Sequence, residues 1–308
     1  MHLYMMALIC VVPHLSFGQS CCSGGAPLSG NLGLPFADEK QLQFSISYDL
    51  NKLNTLKNGT ETLDDNTRTR STYTALFQAG YNLNEHWSFE VLLPYVKQER
   101  IVSPVGFNTT IESTNGIGDI VLLSKYRFLN HYQVGIGVKF PTGSSDETTK
   151  RGILLNADMQ PGSGAMDAIA FFSSEHNFKV RSSLSIYTTL TFRYTGENSS
   201  YLIDQTYKFG NESQIQVGVA DQFLFFNQVL SPSLGFKYRR VSEDVNDGFD
   251  VPSTGGKWLF IRPGLSYLVT PNIHLMSTID LPIYANLEGT QITPTFRWNT
   301  ALLINLKL

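Results

Sequence analysis

From residue 41 onward apolar and polar residues alternate one for one. Gln41–Leu50 sets Leu42, Phe44, Ile46, Tyr48 and Leu50 against Gln43, Ser45, Ser47 and Asp49. Tyr132–Phe140 sets Tyr132, Val134, Ile136, Val138 and Phe140 against Gln133, Gly135, Gly137 and Lys139. The stretches 86–96, 183–194 and 296–308 repeat the pattern. A period of two belongs to strands whose two faces meet different surroundings. No stretch has comparable helical spacing. The pattern predicts strands over 41–51, 70–82, 86–98, 116–128, 131–141, 165–175, 179–194, 207–225, 228–240, 257–269, 272–284 and 295–308. These are about twelve in all, an even number, as single-chain bacterial outer-membrane barrels have.

The connections between these strands also alternate. Segments 52–69, 99–115, 142–164, 195–206, 241–256 and, more moderately, 285–294 are long. Those at 83–85, 129–130, 176–178, 226–227 and 270–271 are short. A transmembrane barrel has short periplasmic turns at one rim and long outer loops at the other. A soluble sandwich has no reason to keep that order through every hairpin. Tyr48, Tyr81, Trp87, Tyr95, Tyr126, Phe128, Phe140, Tyr194, Tyr238, Tyr267 and Trp298 fall near strand ends, where interfacial aromatic belts lie.

Composition agrees with this reading. Charged residues are 16% of the chain, below the roughly 25% of soluble domains, and hydrophobic residues are 42%. No apolar run of about 18 residues follows the N-terminus, so a helical membrane protein is excluded. The net charge of -3 is a poor match for nucleic acid. The fold class is therefore all-β, a transmembrane antiparallel β-barrel of the bacterial outer membrane. Its lipid contact is through an apolar outer face, and a small-molecule solute is the expected partner. Oligomeric state is not encoded in the pattern.

The pleat then assigns charges to the inner face: Asp49, Glu90, Asp119, Lys125, Arg127, Lys139, Asp167, Arg193, Lys237, Arg239, Arg262, Asp280, Arg297 and Lys307. Two roles are open to them: pairing across strands to hold the barrel rigid, or lining a permeation path that orients solute. Gly116 and Gly118 leave room for Asp119 to reach a neighbouring backbone or an Arg. Gly135 and Gly137 remove bulk from one stretch of wall, which admits a plug segment or widens a path.

Three short blocks carry a family resemblance. They are Gly116-Ile117-Gly118-Asp119-Ile120 running into Lys125-Tyr126-Arg127-Phe128, then Gly137-Val138-Lys139-Phe140-Pro141-Thr142-Gly143, and then Gln160-Pro161-Gly162-Ser163-Gly164 followed by Asp167. Leu93-Pro94-Tyr95 is a weaker echo. In order and spacing the chain resembles the meta-pathway of phenol degradation transporter family over residues 40–308. That family is related to outer-membrane channels for fatty acids and aromatic hydrocarbons. The resemblance implies a channel or transporter for small, hydrophobic or aromatic solutes. A closed structural or adhesive barrel with a charge-paired lumen is the alternative, and a barrel enzyme comes third.

Residues 1–18 read as a secretory signal, with an apolar stretch Leu3–Val12 before Ser16-Phe17-Gly18, although no Lys or Arg precedes it. Residues 19–40 form a Gly/Ser-rich tail that cannot bury enough apolar surface to fold alone. It either hangs free or folds up into the lumen as a plug. It holds Cys21 and Cys22, whose adjacency excludes a disulfide framework and whose thiolates would suit a soft metal such as copper. The barrel spans 41–308. His86, His131, His176 and His274 fall at or beside short turns, and His274 and Ser277 point to opposite faces of one strand. No catalytic constellation is expected, and no cofactor.

Overall fold

The computed structural model describes residues 34–35, 40–103, 106–202, 204–226 and 228–307. The signal and the Cys21-Cys22 pair lie outside the described residues.

Twelve antiparallel strands close into a barrel. They are β1 (Gln41–Asn58), β2 (Arg68–Asn82), β3 (Trp87–Val102), β4 (Ile120–Phe128), β5 (Tyr132–Phe140), β6 (Asp167–Phe178), β7 (Arg181–Tyr194), β8 (Glu212–Ala220), β9 (Gln228–Val241), β10 (Gly256–Thr270), β11 (Ile273–Leu287) and β12 (Thr290–Lys307). Each pairs with its sequence neighbours, and β1 closes on β12 from Gln41↔Lys307 outward. Closure pairs every strand edge, the condition for crossing hydrocarbon with strands.

The outward set of the alternation faces lipid. Phe44, Ile46, Phe77, Phe89, Val91, Ile136, Leu190, Phe192, Phe236 and Leu275 are exposed on the outer wall. At the short-turn rim Trp87, Tyr126, Phe128, Tyr132 and Phe172 form an aromatic girdle, with Trp87–Tyr126 centroids 5.0 Å and Phe128–Tyr132 centroids 5.5 Å apart. The three-residue turn Leu129–His131 has Leu129 and Asn130 at φ 50° and 55°, the positive φ that tight hairpins need.

At the long-loop end the strands outrun the expected bounds. β1 continues to Asn58, and β11 turns into β12 through Glu288-Gly289 alone, with Gly289 at φ 75°. The stretch 285–294, expected as a loop, is thus mostly strand, and it pairs with β10 and β1 beyond the apolar band. The fourth strand is broken in two. Thr110–Ile117 pairs with the outer half of β3, the chain steps inward at Gly118-Asp119, and β4 pairs with the inner half. The eighth strand is shorter than expected. Gly210 is pressed so close to Ser242 that a Cβ would stand 1.9 Å from its carbonyl oxygen, which ends the ladder there. Gln205–Lys208 instead joins a four-stranded sheet of outer-loop segments with Asn198–Tyr201, Val245–Asn246 and Phe249–Asp250.

Candidate functional site: the lumen and its two ends

Because inward residues come from every second position, each strand delivers its charge at a definite height, and neighbouring strands bring opposite signs together. Lys139 bonds Asp119 at 2.8 Å and Asp167 at 3.1 Å. Arg193 reaches Asp167 at 3.5 Å and Glu212 at 3.0 Å, and Arg239 reaches Glu212 at 2.6 Å. The result is a ladder of six alternating charges, Asp119-Lys139-Asp167-Arg193-Glu212-Arg239, drawn from six consecutive wall segments. All six are buried. Arg239 then lies over the Trp258 ring at 5.0 Å, and the indole N–H donates to Thr293 at 2.8 Å, which carries the belt on to β12. Charges taken from water at such depth are tolerable only when paired and hydrogen-bonded.

A second cluster continues the wall from β9 to β1. Asp280 pairs with Lys237 and, at 3.4 Å, with Arg262. Arg262 also donates to Gln216 at 2.8 Å and to Thr278 at 3.1 Å. Arg297 donates to both oxygens of Asp49 at 2.8 Å. A third pair, Glu90 and Lys125, lies between β3 and β4. Arg127 stands at the short-turn rim, with Nε donating to the Glu85 carbonyl at 2.9 Å. Lys307 is exposed at the same rim, opposite Gln41 and in phase with the inward Asn305.

Gly135 and Gly137 do face inward, but they leave no free space. A Cβ on Gly135 would come within 3.1 Å of the Lys125 side chain and the Ser124 carbonyl, and within 3.4 Å of Phe171. On Gly137 it would meet the Leu122 carbonyl at 2.9 Å and Leu123 at 3.1 Å. The two glycines seat the large side chains of β4 and β6 rather than open a path.

The outer end is closed by the chain itself. The connection 141–166, expected to project outside, folds down into the mouth. Its short 3₁₀ turn Ala157–Met159 is buried. Arg70 grips the Asp158 carboxylate and carbonyl and the Gln98 side chain, Thr114 donates to the Met159 carbonyl at 2.6 Å, and Gln98 donates to the Gln160 carbonyl at 3.2 Å. Gln160 in turn holds Glu147 through both main-chain groups. A buried polar turn must have its groups satisfied in this way. Alternation could not reveal Arg70, Asp158 and Gln160, since two lie in a loop and the third at a strand margin.

The three motif blocks meet at Asp119. Its carboxylate accepts the Ser163 N–H at 2.9 Å, the Ser163 hydroxyl at 2.7 Å, the Gly143 N–H at 3.1 Å and the Lys139 ammonium. Over the folded loop, Tyr207 donates to Asp244 at 2.6 Å, and the Gly210 N–H donates to the same carboxylate at 2.7 Å. Burial, and next the Asp244 charge, push the Tyr207 phenol far above its ordinary range, so it stays a donor. Tyr207, Phe209 and Ala157 pack together beneath Tyr201.

Below this closure, a cavity of about 550 Å³ reaches the short-turn rim at Asn130, His131 and Glu175. Its wall is mostly hydroxyl and amide: Ser45, Ser47, Thr74, Gln78, Ser173, Thr189, Thr191, Gln214, Gln216, Ser233, Thr278 and Asn299. One strip is apolar, with Leu76 and Phe171, and Asp49, Arg262 and Arg297 contribute charge. Leu34 and Pro35 of the N-terminal tail also line it. Leu34 is buried in the lumen. Its N–H donates to Glu90 at 3.0 Å, and its carbonyl accepts from Lys125.

The chain matches, over residues 72–295, the family described as "Putative MetA-pathway of phenol degradation". It belongs to that family. No curated protein sequence matches it. Among solved structures it is similar to the COG4313 outer membrane channel from Pseudomonas putida F1, with a TM-score of 0.67 and 13% identity over 89% of this chain and 97% of that one. The β-domain of the Bordetella autotransporter BrkA, at 0.48 and 9% over 87% and 100%, shares only a loose barrel likeness. So does the CymD monoaromatic hydrocarbon channel, at 0.46 and 11% over 88% and 89%. The closed twelve-strand wall with its apolar exterior makes this phenol-degradation family member a β-barrel of the bacterial outer membrane.

Proposed function

We propose that this family member is an outer-membrane channel for small, hydrophobic or aromatic solutes, held shut in the described state. The observation that carries the reading is the 550 Å³ cavity that runs from the short-turn rim past Leu34 to Asp49 and Arg297. A barrel with a purely structural role has no use for such a space. A phenol-sized molecule fits it, with Leu76 and Phe171 for the ring and the hydroxyl and amide wall for its polar atom. Asp49, Arg262 and Arg297 would orient the solute, and the six-charge ladder would keep the wall rigid around it. Family membership supports this reading, and so does the fold shared with the Pseudomonas putida protein, itself an outer membrane channel. Leu34 and Pro35 are the part of the tail that acts as the plug.

Reconstitution in liposomes and planar bilayers tests the proposal. The full chain should conduct poorly, and Leu34→Asp, which sets a carboxylate against Glu90, should conduct well when combined with Gly162→Ala, which releases the loop that closes the outer mouth. A second reading, a closed structural barrel, is favoured by the pairing of nearly all the lumen charges. It requires that neither protein conducts or admits phenol.

A further inference from the structure

Leu34 is read twice, by its backbone and by its side chain. Glu90 accepts from its N–H at 3.0 Å and Lys125 donates to its carbonyl, while Glu90 and Lys125 pair with one another. The isobutyl group lies over Gly80, where a Cβ would stand 2.9 Å from Leu34 Cδ1 and 3.3 Å from Glu90 Cγ. Only glycine leaves that hollow. Next to it on the inner face, the Gln78 amide nitrogen and the Ser88 hydroxyl are buried without a hydrogen-bond partner among the described residues. Gln78 lies one inward position from Gly80 along β2, and Ser88 is registered against Lys125. Buried polar atoms left in this way are rare in folded proteins.

We infer that this is a ligand socket which the tail occupies by mimicry. The socket takes a neutral amphiphile that joins a compact branched apolar group to an adjacent hydrogen-bond donor and acceptor, as in an N-acylated leucine amide. The donor meets Glu90, the acceptor meets Lys125, and the apolar group fills the hollow over Gly80. A further polar atom on the ligand would satisfy Gln78 or Ser88, which Leu34 does not. Such a ligand and Leu34 exclude one another, so binding releases the tail. The inference rests on the channel reading only in what release does, not in whether the socket binds.

The test uses the full chain in detergent with N-acetyl-L-leucinamide as probe and N-acetylglycinamide as control, with binding read by saturation-transfer NMR. Leu34→Asp removes the competitor and should tighten probe binding about tenfold, the scale of a charge-assisted hydrogen bond. Adding Glu90→Gln to that variant should weaken it by a similar factor, and Gly80→Ala should block the probe while the barrel keeps its heat-modifiable migration. Equal binding of the two amides, or indifference to Glu90, overturns the socket. With the outer loop released by Gly162→Ala, probe binding without a rise in conductance keeps the socket and removes the channel reading. Conductance in Leu34→Asp with Gly162→Ala, without probe binding, does the reverse.

Discussion

Gly143 and Gly162 touch backbone to backbone. A Cβ on Gly162 would lie 2.4 Å from the Gly143 carbonyl oxygen, and one on Gly143 would lie 2.8 Å from the Gly162 Cα. No side-chain rotation relieves a clash with main chain. Gly162→Ala should therefore expel the folded loop from the mouth while the wall stays closed. Limited proteolysis checks this. New cleavage between 144 and 156 is expected in the variant, with unchanged heat-modifiable migration, and an uncut loop would refute the packing.

The ladder concentrates its cost at its best-connected cation. Lys139→Met leaves Asp119 without a cation and Asp167 with Arg193 alone, at 3.5 Å, and stability should fall by about 3–5 kcal/mol. Arg193→Met should cost less, because Asp167 keeps Lys139 at 3.1 Å and Glu212 keeps Arg239 at 2.6 Å. Urea unfolding in lipid measures both. If Lys139→Met is as stable as wild type, the ladder does not hold the wall.

Ile136 is 74% exposed on the lipid face near the middle of β5. Ile136→Leu should be neutral, and Ile136→Arg should cost about 2–4 kcal/mol. Its neighbour Gly135 is no permissive site, since a Cβ presses on Lys125 and the Ser124 carbonyl at 3.1 Å. Gly135→Ser should also destabilise, by less. A neutral Ile136→Arg would move the hydrocarbon band elsewhere.

The outer closure should weaken in alkali. Tyr207 stays protonated in the closed lid, whereas in an opened lid it ionises at the ordinary phenol value of about pH 10. Its folded value is raised, so the stabilisation is complete below that pH and declines as pH rises beyond it. Loop proteolysis against pH should show a step there, and Tyr207→Phe should flatten it. A step of the same size in Tyr207→Phe would assign the effect to another group.

Strand alternation made the barrel legible because one physical rule, apolar toward lipid and polar toward the lumen, governs every second residue of the wall. It also marked Asp119, Lys139, Asp167 and Arg193 one by one, but not that they touch, since alternation fixes the face of each residue and not the register between neighbouring strands. The rule fails where the lumen is dry. Leu53, Leu56, Trp258, Phe260, Leu287 and Ile292 face inward and pack together at the outer end, beyond the point where Asn51 and Arg262 still follow the polar pattern. The folded loop was invisible for another reason. Its polar residues resemble those of any solvated connection, and Arg70, Gln98, Thr114 and Asp119 on the wall turn them inward.

The six-charge ladder also acts on assembly. A strand that pairs one residue out of step turns its whole inner set to the outside. For β5, β7 or β9, that slip would turn Lys139, Arg193 or Arg239, each near the outer end of its strand, toward the lipid interface, at up to about 1 kcal/mol. It would also take a cation away from Asp119 and Asp167, from Asp167 and Glu212, or from Glu212, respectively. Each misthreaded intermediate is thus penalised twice, and the penalty falls on β5, β7 and β9 in turn. The same pairs that stiffen the finished wall proofread the order in which it is stitched.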